Sequence, residues 1–265
     1  MRPAATWTSN LAADNDMTQQ WDPKRYSHEA GFVATLGEPL IDLLAPQPHE
    51  RVLDLGCGDG ALTVKLCARG CEVVAVDSSP AQVEAAIARG LNASVADGHR
   101  LRFVNEFDAV VSNAALHWMK RPDEVLAGVS RALVDGGRFV AEMGGEGNVE
   151  RIVTGIDNVL SNHGVDSSAV NPWYFPAPEE YSERLEAHGF EILSIEHFPR
   201  PTPIAVDITD WLEIFTQSFF ATFNSDERIG LLAELRETLV GDLCDADGNW
   251  ELDYVRLRFS TVKHG

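Results

Sequence analysis

Apolar residues recur along the chain in two alternating rhythms. From Trp21 onward, Tyr26, Ala30, Val33, Leu36, Leu40 and Leu43 or Leu44 return at steps of three and four, the spacing of one helix face. Pro46 and Pro48 end that stretch. Short, nearly all-apolar runs follow at 51–55, 72–76, 93–96, 107–112 and 138–143, separated by helical spacings at 61–69, 80–89 and 122–134. Strands that are apolar on both faces and separated by helices predict a parallel sheet covered on both sides. Right-handed crossovers make that a doubly wound α/β sandwich. Ser79-Pro80 opens one helix in cap-then-proline fashion, and Gly70, Gly90 and Gly136-Gly137 sit just past others.

After Gly147 the texture changes. A helical stretch at 149–162 leads to an irregular segment at 171–178 with three prolines and the run Trp173-Tyr174-Phe175. A helix at 179–188 ends on Gly189, and a strand follows at 190–198. Helical stretches at 208–223 and 226–243 precede a last strand at 254–262. Residues 1–16 carry no period and read as a mobile tail, leaving 17–265 as a single domain.

Charge narrows the function. The chain of 265 residues has 41 acidic and 21 basic side chains, a formal charge of −20, which disfavours a polyanionic partner such as nucleic acid. No apolar run approaches the roughly 20 residues of a membrane span, and residues 1–16 lack the apolar core of a secretory signal. Cys57, Cys67, Cys71 and Cys244 form no C-x-x-C pair, which suits a reducing cytoplasm. Cys67 and Cys71 lie one helical turn apart with no third ligand nearby in sequence, so no metal site is expected.

The segment Arg51-Val-Leu-Asp-Leu-Gly-Cys-Gly-Asp-Gly60 reads as strand, tight glycine turn and helix start. A dinucleotide fold uses G-x-G-x-x-G and seats a pyrophosphate on the helix N-terminus. Here the spacing is G-x-G-x-G, and Asp54 and Asp59 flank the turn. Carboxylates repel a pyrophosphate and favour a cationic ligand. Asp77 ends the second strand, where a carboxylate can accept from ribose hydroxyls; Asp97-Gly98 ends the third, within reach of an adenine amino group. Ser112-Asn-Ala-Ala-Leu-His-Trp118 ends the fourth.

In that order, 52–60, 73–78, Asp97-Gly98, 107–118 and 133–142 resemble the motifs of class I S-adenosylmethionine-dependent methyltransferases. The 112–118 segment, with Trp21 and Tyr26, is most similar to the subgroup containing trans-aconitate and malonyl-carrier-protein methyltransferases. The resemblance implies a Rossmann-like, mostly parallel seven-stranded sheet with the last strand antiparallel. It also implies a helical cap at 17–48, a cofactor core at 50–147, and lid helices with the last two strands at 148–265. S-adenosylmethionine would be the cofactor and a small molecule the methyl acceptor, with a carboxylate the first expectation. A hydroxyl, amine or carbon acceptor, or a binder without transferase activity, is the alternative. Gly56, Cys57 and Gly58 would line the methionine moiety through backbone, and Asp54 would hold the turn and the amino group. Asp77, next to Ser78, would bind ribose, and Asp97 with Gly98 the adenine. Asn113 and Ala114 would approach the sulfonium, with Tyr26 closing over the cofactor.

His117 is the candidate general base, since imidazole titrates near neutrality; the alternative is a pocket-shaping hydrogen-bond partner. His28 is a second candidate on the N-terminal helix. Trp118 and Trp173 could wall the acceptor pocket, and Trp173 stands in a proline-rich loop where exposed aromatics are expected. Arg200 could pair with a substrate carboxylate or form an ordinary salt bridge. Trp211, Phe215 and Phe219, at helical spacing, read as core.

Overall fold

The computed structural model describes residues 19–23, 25 and 32–265. The expected tail, Tyr26 and His28 lie outside these residues. The strands are β1 (Arg51–Leu55), β2 (Glu72–Asp77), β3 (Ala93–Val95), β4 (Phe107–Asn113), β5 (Leu133–Gly144), β6 (Phe190–Ile204) and β7 (Trp250–Lys263). They form one seven-stranded sheet in the order β3-β2-β1-β4-β5-β7-β6. β7 runs antiparallel to both neighbours, and every other pairing is parallel. The doubly wound sheet with a reversed last strand is therefore present.

Helices α1 (Phe32–Leu36), α2 (Glu38–Leu44), α3 (Ala61–Ala68), α4 (Pro80–Ala88), α5 (Pro122–Ala132), α6 (Glu150–Asn162), α7 (Pro178–Ala187), α8 (Ile208–Phe215) and α9 (Ser225–Leu243) complete the described elements. Strand alternation divides the core. Val52, Val111 and Val140 face Leu40, Ile41 and Leu44 of α2 and Leu62 and Leu66 of α3. Their neighbours Leu53, Val110 and Phe139 face Val125, Leu126 and Val129 of α5 and Leu185 of α7. A third core lies beyond β5, where α6, α8 and α9 pack on Trp250, Leu252 and Tyr254 of β7.

Several boundaries differ from the expected ones. The N-terminal helix is broken between α1 and α2 at Gly37, just before Pro39. α5 stops at Ala132 because β5 already begins at Leu133, paired to Phe107, and the ladder resumes at Ala109–Arg138 past an irregularity. The stretch read as one helix over 208–223 is α8 followed by a short 3-10 turn at Gln217–Phe220. β6 and β7 run on together through Ile204 and Trp250, well past the expected strand ends.

Candidate active site

The carboxyl ends of β1, β2 and β4 bring the glycine turn and its acids together. Gly56 and Cys57 N–H both donate to Val76 O (2.8 and 3.0 Å), and Gly58 N–H donates to Asp77 Oδ2 (2.9 Å). The donors of Gly56, Cys57 and Gly58 are thus spent on β2, and Gly60 N–H turns back to Cys57 O (3.0 Å). At Gly56, where φ is +77°, an added Cβ would lie 2.2 Å from Ala115 Cβ, so only glycine lets the turn after β4 approach this closely. Asp59 Oδ1 accepts from Ala61 N–H (3.1 Å) at the start of α3, and Asp59 also pairs with Arg89. A carboxylate therefore already occupies the helix N-terminus where a pyrophosphate would sit.

Asp54 is buried (2% exposed) and accepts from Thr63 Oγ1 at 2.6 Å. Burial, less the Thr63 bond and added to by the Asp77 charge, pushes its carboxyl up to about 6. Burial also raises Asp77, whose Oδ1 accepts from Ser79 N–H (2.8 Å), while Ser78 is exposed. Burial raises the Cys57 thiol as well, foremost, with the neighbouring acids adding to it. Asp97 starts the 3-10 turn Gly98–Arg100 and accepts from His99 Nδ1 (2.7 Å) and His99 N–H (2.9 Å). The His99 bond holds its carboxyl below the usual range. Spent N–H groups and crowded acids make a poor phosphate cradle. They fit S-adenosylmethionine, whose ammonium and sulfonium are both cationic.

Two cofactor-side expectations change in detail. Gly98 is buried, and an added Cβ would lie 2.7 Å from Met119 Sδ, so its missing side chain leaves room for Met119. Asn113 Nδ2 donates to Val33 O (3.2 Å), tying β4 to the N-terminal cap. Ala114 adopts φ +54°, and its N–H donates to Glu142 O (2.8 Å).

His117 is buried in the 3-10 turn Leu116–Trp118 that follows β4. Its Nδ1 accepts from Gly144 N–H (3.2 Å), which places the neutral ring's proton on Nε2. Nε2 has no hydrogen-bond partner among the described residues. Burial, then the nearby Arg256 charge, pushes the imidazole down to about 3. Around it stand Trp118 and Phe175, each with centroid 5.7 Å from the ring. Trp21 meets Trp118 edge-on at 5.2 Å, and Arg25 pairs with Glu213 of α8 (2.8 Å), so the N-terminal segment covers this end.

Trp173 is 7% exposed and packs on Phe175, Trp211 and Phe219; it belongs to the third core and is not an exposed loop aromatic. Trp211, Phe215 and Phe219 are core, as their spacing predicts. Arg200 is a correction to the acceptor-anchor expectation. Its guanidinium grips Glu142 with both NH groups (NH2–Oε2 2.7 Å), and Arg258 NH2 binds the same carboxylate at 2.6 Å. Sequence reasoning missed Arg256 and Tyr254, both buried on β7. The alternation Tyr254-Val-Arg-Leu-Arg258 marks a strand but does not tell a buried face from a solvated one.

The fold and this acidic strand-end site define a class I S-adenosylmethionine-dependent methyltransferase. Residues 53–141 match the family described as a methyltransferase domain. The chain is 39% identical over 259 residues to an uncharacterized methyltransferase of Schizosaccharomyces pombe, covering 92% of this chain and 98% of that one, and belongs to that methyltransferase family. A trans-aconitate 2-methyltransferase of Rhodococcus jostii is 43% identical over 111 residues, spanning 40% of this chain and 42% of that enzyme. A solved phosphoethanolamine N-methyltransferase of Haemonchus contortus, in complex with S-adenosylhomocysteine, shares the fold. Its TM-score is 0.59 at 20% identity, over 92% of this chain and 57% of that one. The protein is an enzyme, and its cofactor is S-adenosylmethionine. No helix among the described residues is long and apolar enough to cross a membrane.

Proposed function

We propose that the enzyme methylates a small-molecule carboxylate in the cytoplasm. The single observation that carries the choice of acceptor is the state of His117. An imidazole whose Nδ1 is taken by Gly144 N–H and whose titration lies far below neutrality is no proton acceptor at pH 7. It is an Nε2–H donor. A carboxylate is already ionised at pH 7 and needs no base, and it can accept from that donor. Partial similarity to trans-aconitate 2-methyltransferases supports the same class.

The cofactor supplies an activated methyl on a positive sulfur. In this reading Asp77 holds the ribose hydroxyls, Asp97 and Gly98 the adenine edge, and Ser78 borders them. Asp54 and the 56–58 turn receive the methionine end, with Asn113 and Ala114 beside it, and Tyr26 and His28 are candidates from sequence for the cofactor and acceptor sides. Trp118 and Phe175 enclose the acceptor and exclude water, and residues 148–265 form the lid around it.

Transfer of labelled methyl groups to carboxylic acids, phenols and amines tests this, with His117→Gln and His117→Ala alongside. Ester formation is expected, with His117→Gln within about fivefold of wild type because it keeps a donor, and His117→Ala down about 10- to 100-fold. Methylation confined to amines or phenols, or a His117→Gln variant as inactive as His117→Ala, would restore the general-base role.

A further inference from the structure

β4 stops at Asn113, opposite Glu142, while β5 runs on to Gly144. Gly144 N–H therefore has no strand on the β4 side to accept it, and His117 Nδ1 takes that place at 3.2 Å. The next residue turns the other way, and Gly145 N–H donates to Val255 O of β7 at 3.0 Å. In a regular antiparallel ladder Val255 N–H would return the bond to Gly145 O. Gly145 O instead accepts from Asn148 N–H (3.0 Å), and Asn148 Oδ1 accepts from Val255 N–H (3.0 Å). Asn148 is 4% exposed, and its Nδ2 would lie 2.7 Å from a Cβ added at Gly144, so the amide also packs on that glycine.

The following residue, Val149, is buried yet adopts φ +49°, a left-handed conformation that β-branched residues rarely take. Its N–H donates to Asp253 O of β7 (3.1 Å). Glu146 N–H donates to Pro176 O (2.9 Å), which ties the same turn to the segment carrying Phe175, the ring beside His117. A costly backbone conformation held by partners on two sides is over-determined, and such strain gathers where a group has to be kept in place. The group at the head of this turn is Gly144 N–H. A neutral imidazole carries one proton, and a donor aimed at one ring nitrogen assigns that proton to the other. Whatever fixes Gly144 N–H thus fixes which nitrogen of His117 donates.

We propose that Asn148 is a positioning residue: standing in for Gly145 O on Val255 N–H, it clamps the 144–149 turn to β7, keeps Gly144 N–H on His117 Nδ1, and leaves Nε2–H to donate to the methyl acceptor. This rests on the reading of His117 as a hydrogen-bond donor. The effect of Asn148 passes through the turn, and its own amide exchanges no proton with the acceptor.

The test is nitrogen NMR of histidine-labelled protein in its S-adenosylhomocysteine complex, for wild type, Asn148→Ala and Asn148→Asp, with His117→Gln identifying the His117 signals. At neutral pH wild type should show two widely separated ring-nitrogen shifts, the mark of a single tautomer protonated at Nε2. Asn148→Ala should draw the two shifts together, as a mixture of tautomers does, while holding S-adenosylhomocysteine within about twofold of wild type. Asn148→Asp, which keeps the Oδ1 acceptor, should retain the separation. If Asn148→Ala does not fold, Asn148→Ser, too short to reach Val255 N–H, carries the same comparison. Wild-type shifts in the folded Ala or Ser variant, or merged shifts in Asn148→Asp, overturn the proposal and leave the reading of His117 intact. A wild-type ring protonated at Nδ1 overturns both.

Discussion

In the proposed cofactor site, Asp54 is the buried side chain that would set the pH profile of binding. Burial lifts its carboxyl to about 6, so in the free protein it is half protonated near that pH. An ammonium placed beside it favours the carboxylate, so the complex titrates lower than the free protein. Affinity should therefore rise with pH up to about 6 and level off above it. S-adenosylhomocysteine should bind roughly tenfold more weakly at pH 5 than at pH 7, and Asp54→Asn should flatten the curve while weakening binding at pH 7. A wild-type affinity constant across this range would remove Asp54 from the amino-group site. The strand-end acids could be read from sequence because an Asp after an apolar strand falls at a known place in a parallel sheet. Arg256 could not, because alternation with Leu257 reads equally well as a solvated strand face. Its burial comes from contacts across the sheet, where it is in register with Gly144 and Phe198, and from the Tyr254 ring beneath it.

β6 is an edge strand of fifteen residues, long enough to invite unwanted pairing. Pro199, Pro201 and Pro203 sit at alternate positions within it. Opposite them, Val255 N–H donates to Asn148 Oδ1, and Val255 O and Asp253 O accept from Gly145 and Val149 N–H. Those β7 groups point toward the β5 side, so the facing prolines lose no ladder bond and blunt the outer edge instead. Prolines in sequence read as a strand end, which is why the expected strand stopped at 198. The β5-β7-β6 triple is held by Glu142 between Arg200 and Arg258, with Phe198 beneath both guanidinium groups. Removing the carboxylate strands two largely buried cations. Glu142→Ala should cost about 3–5 kcal/mol in urea unfolding. A loss below about 1 kcal/mol would mean that the trio contributes little to holding these strands.

At the scale of the whole molecule, one sheet carries two tasks. Its β1–β5 half uses two apolar faces to fix the carboxyl ends where the acids gather, and that half is the part whose period was plain in sequence. Its β6–β7 half extends past β5 and supports the third core with α6, α8 and α9. That extension depends on contacts far apart in sequence, such as Trp211 with Tyr254, which no local pattern reports. The central claim is that the strand-end acids hold S-adenosylmethionine, and Asp77 joins the glycine turn to β2 at the centre of that arrangement. The most direct measurement is calorimetric binding of S-adenosylhomocysteine to wild type and to Asp77→Ala, with circular dichroism confirming that both fold. Wild type should bind, and Asp77→Ala should lose about 1–3 kcal/mol of binding free energy through lost charge-assisted hydrogen bonds. No binding by folded wild type, or equal affinity in folded Asp77→Ala, would contradict it.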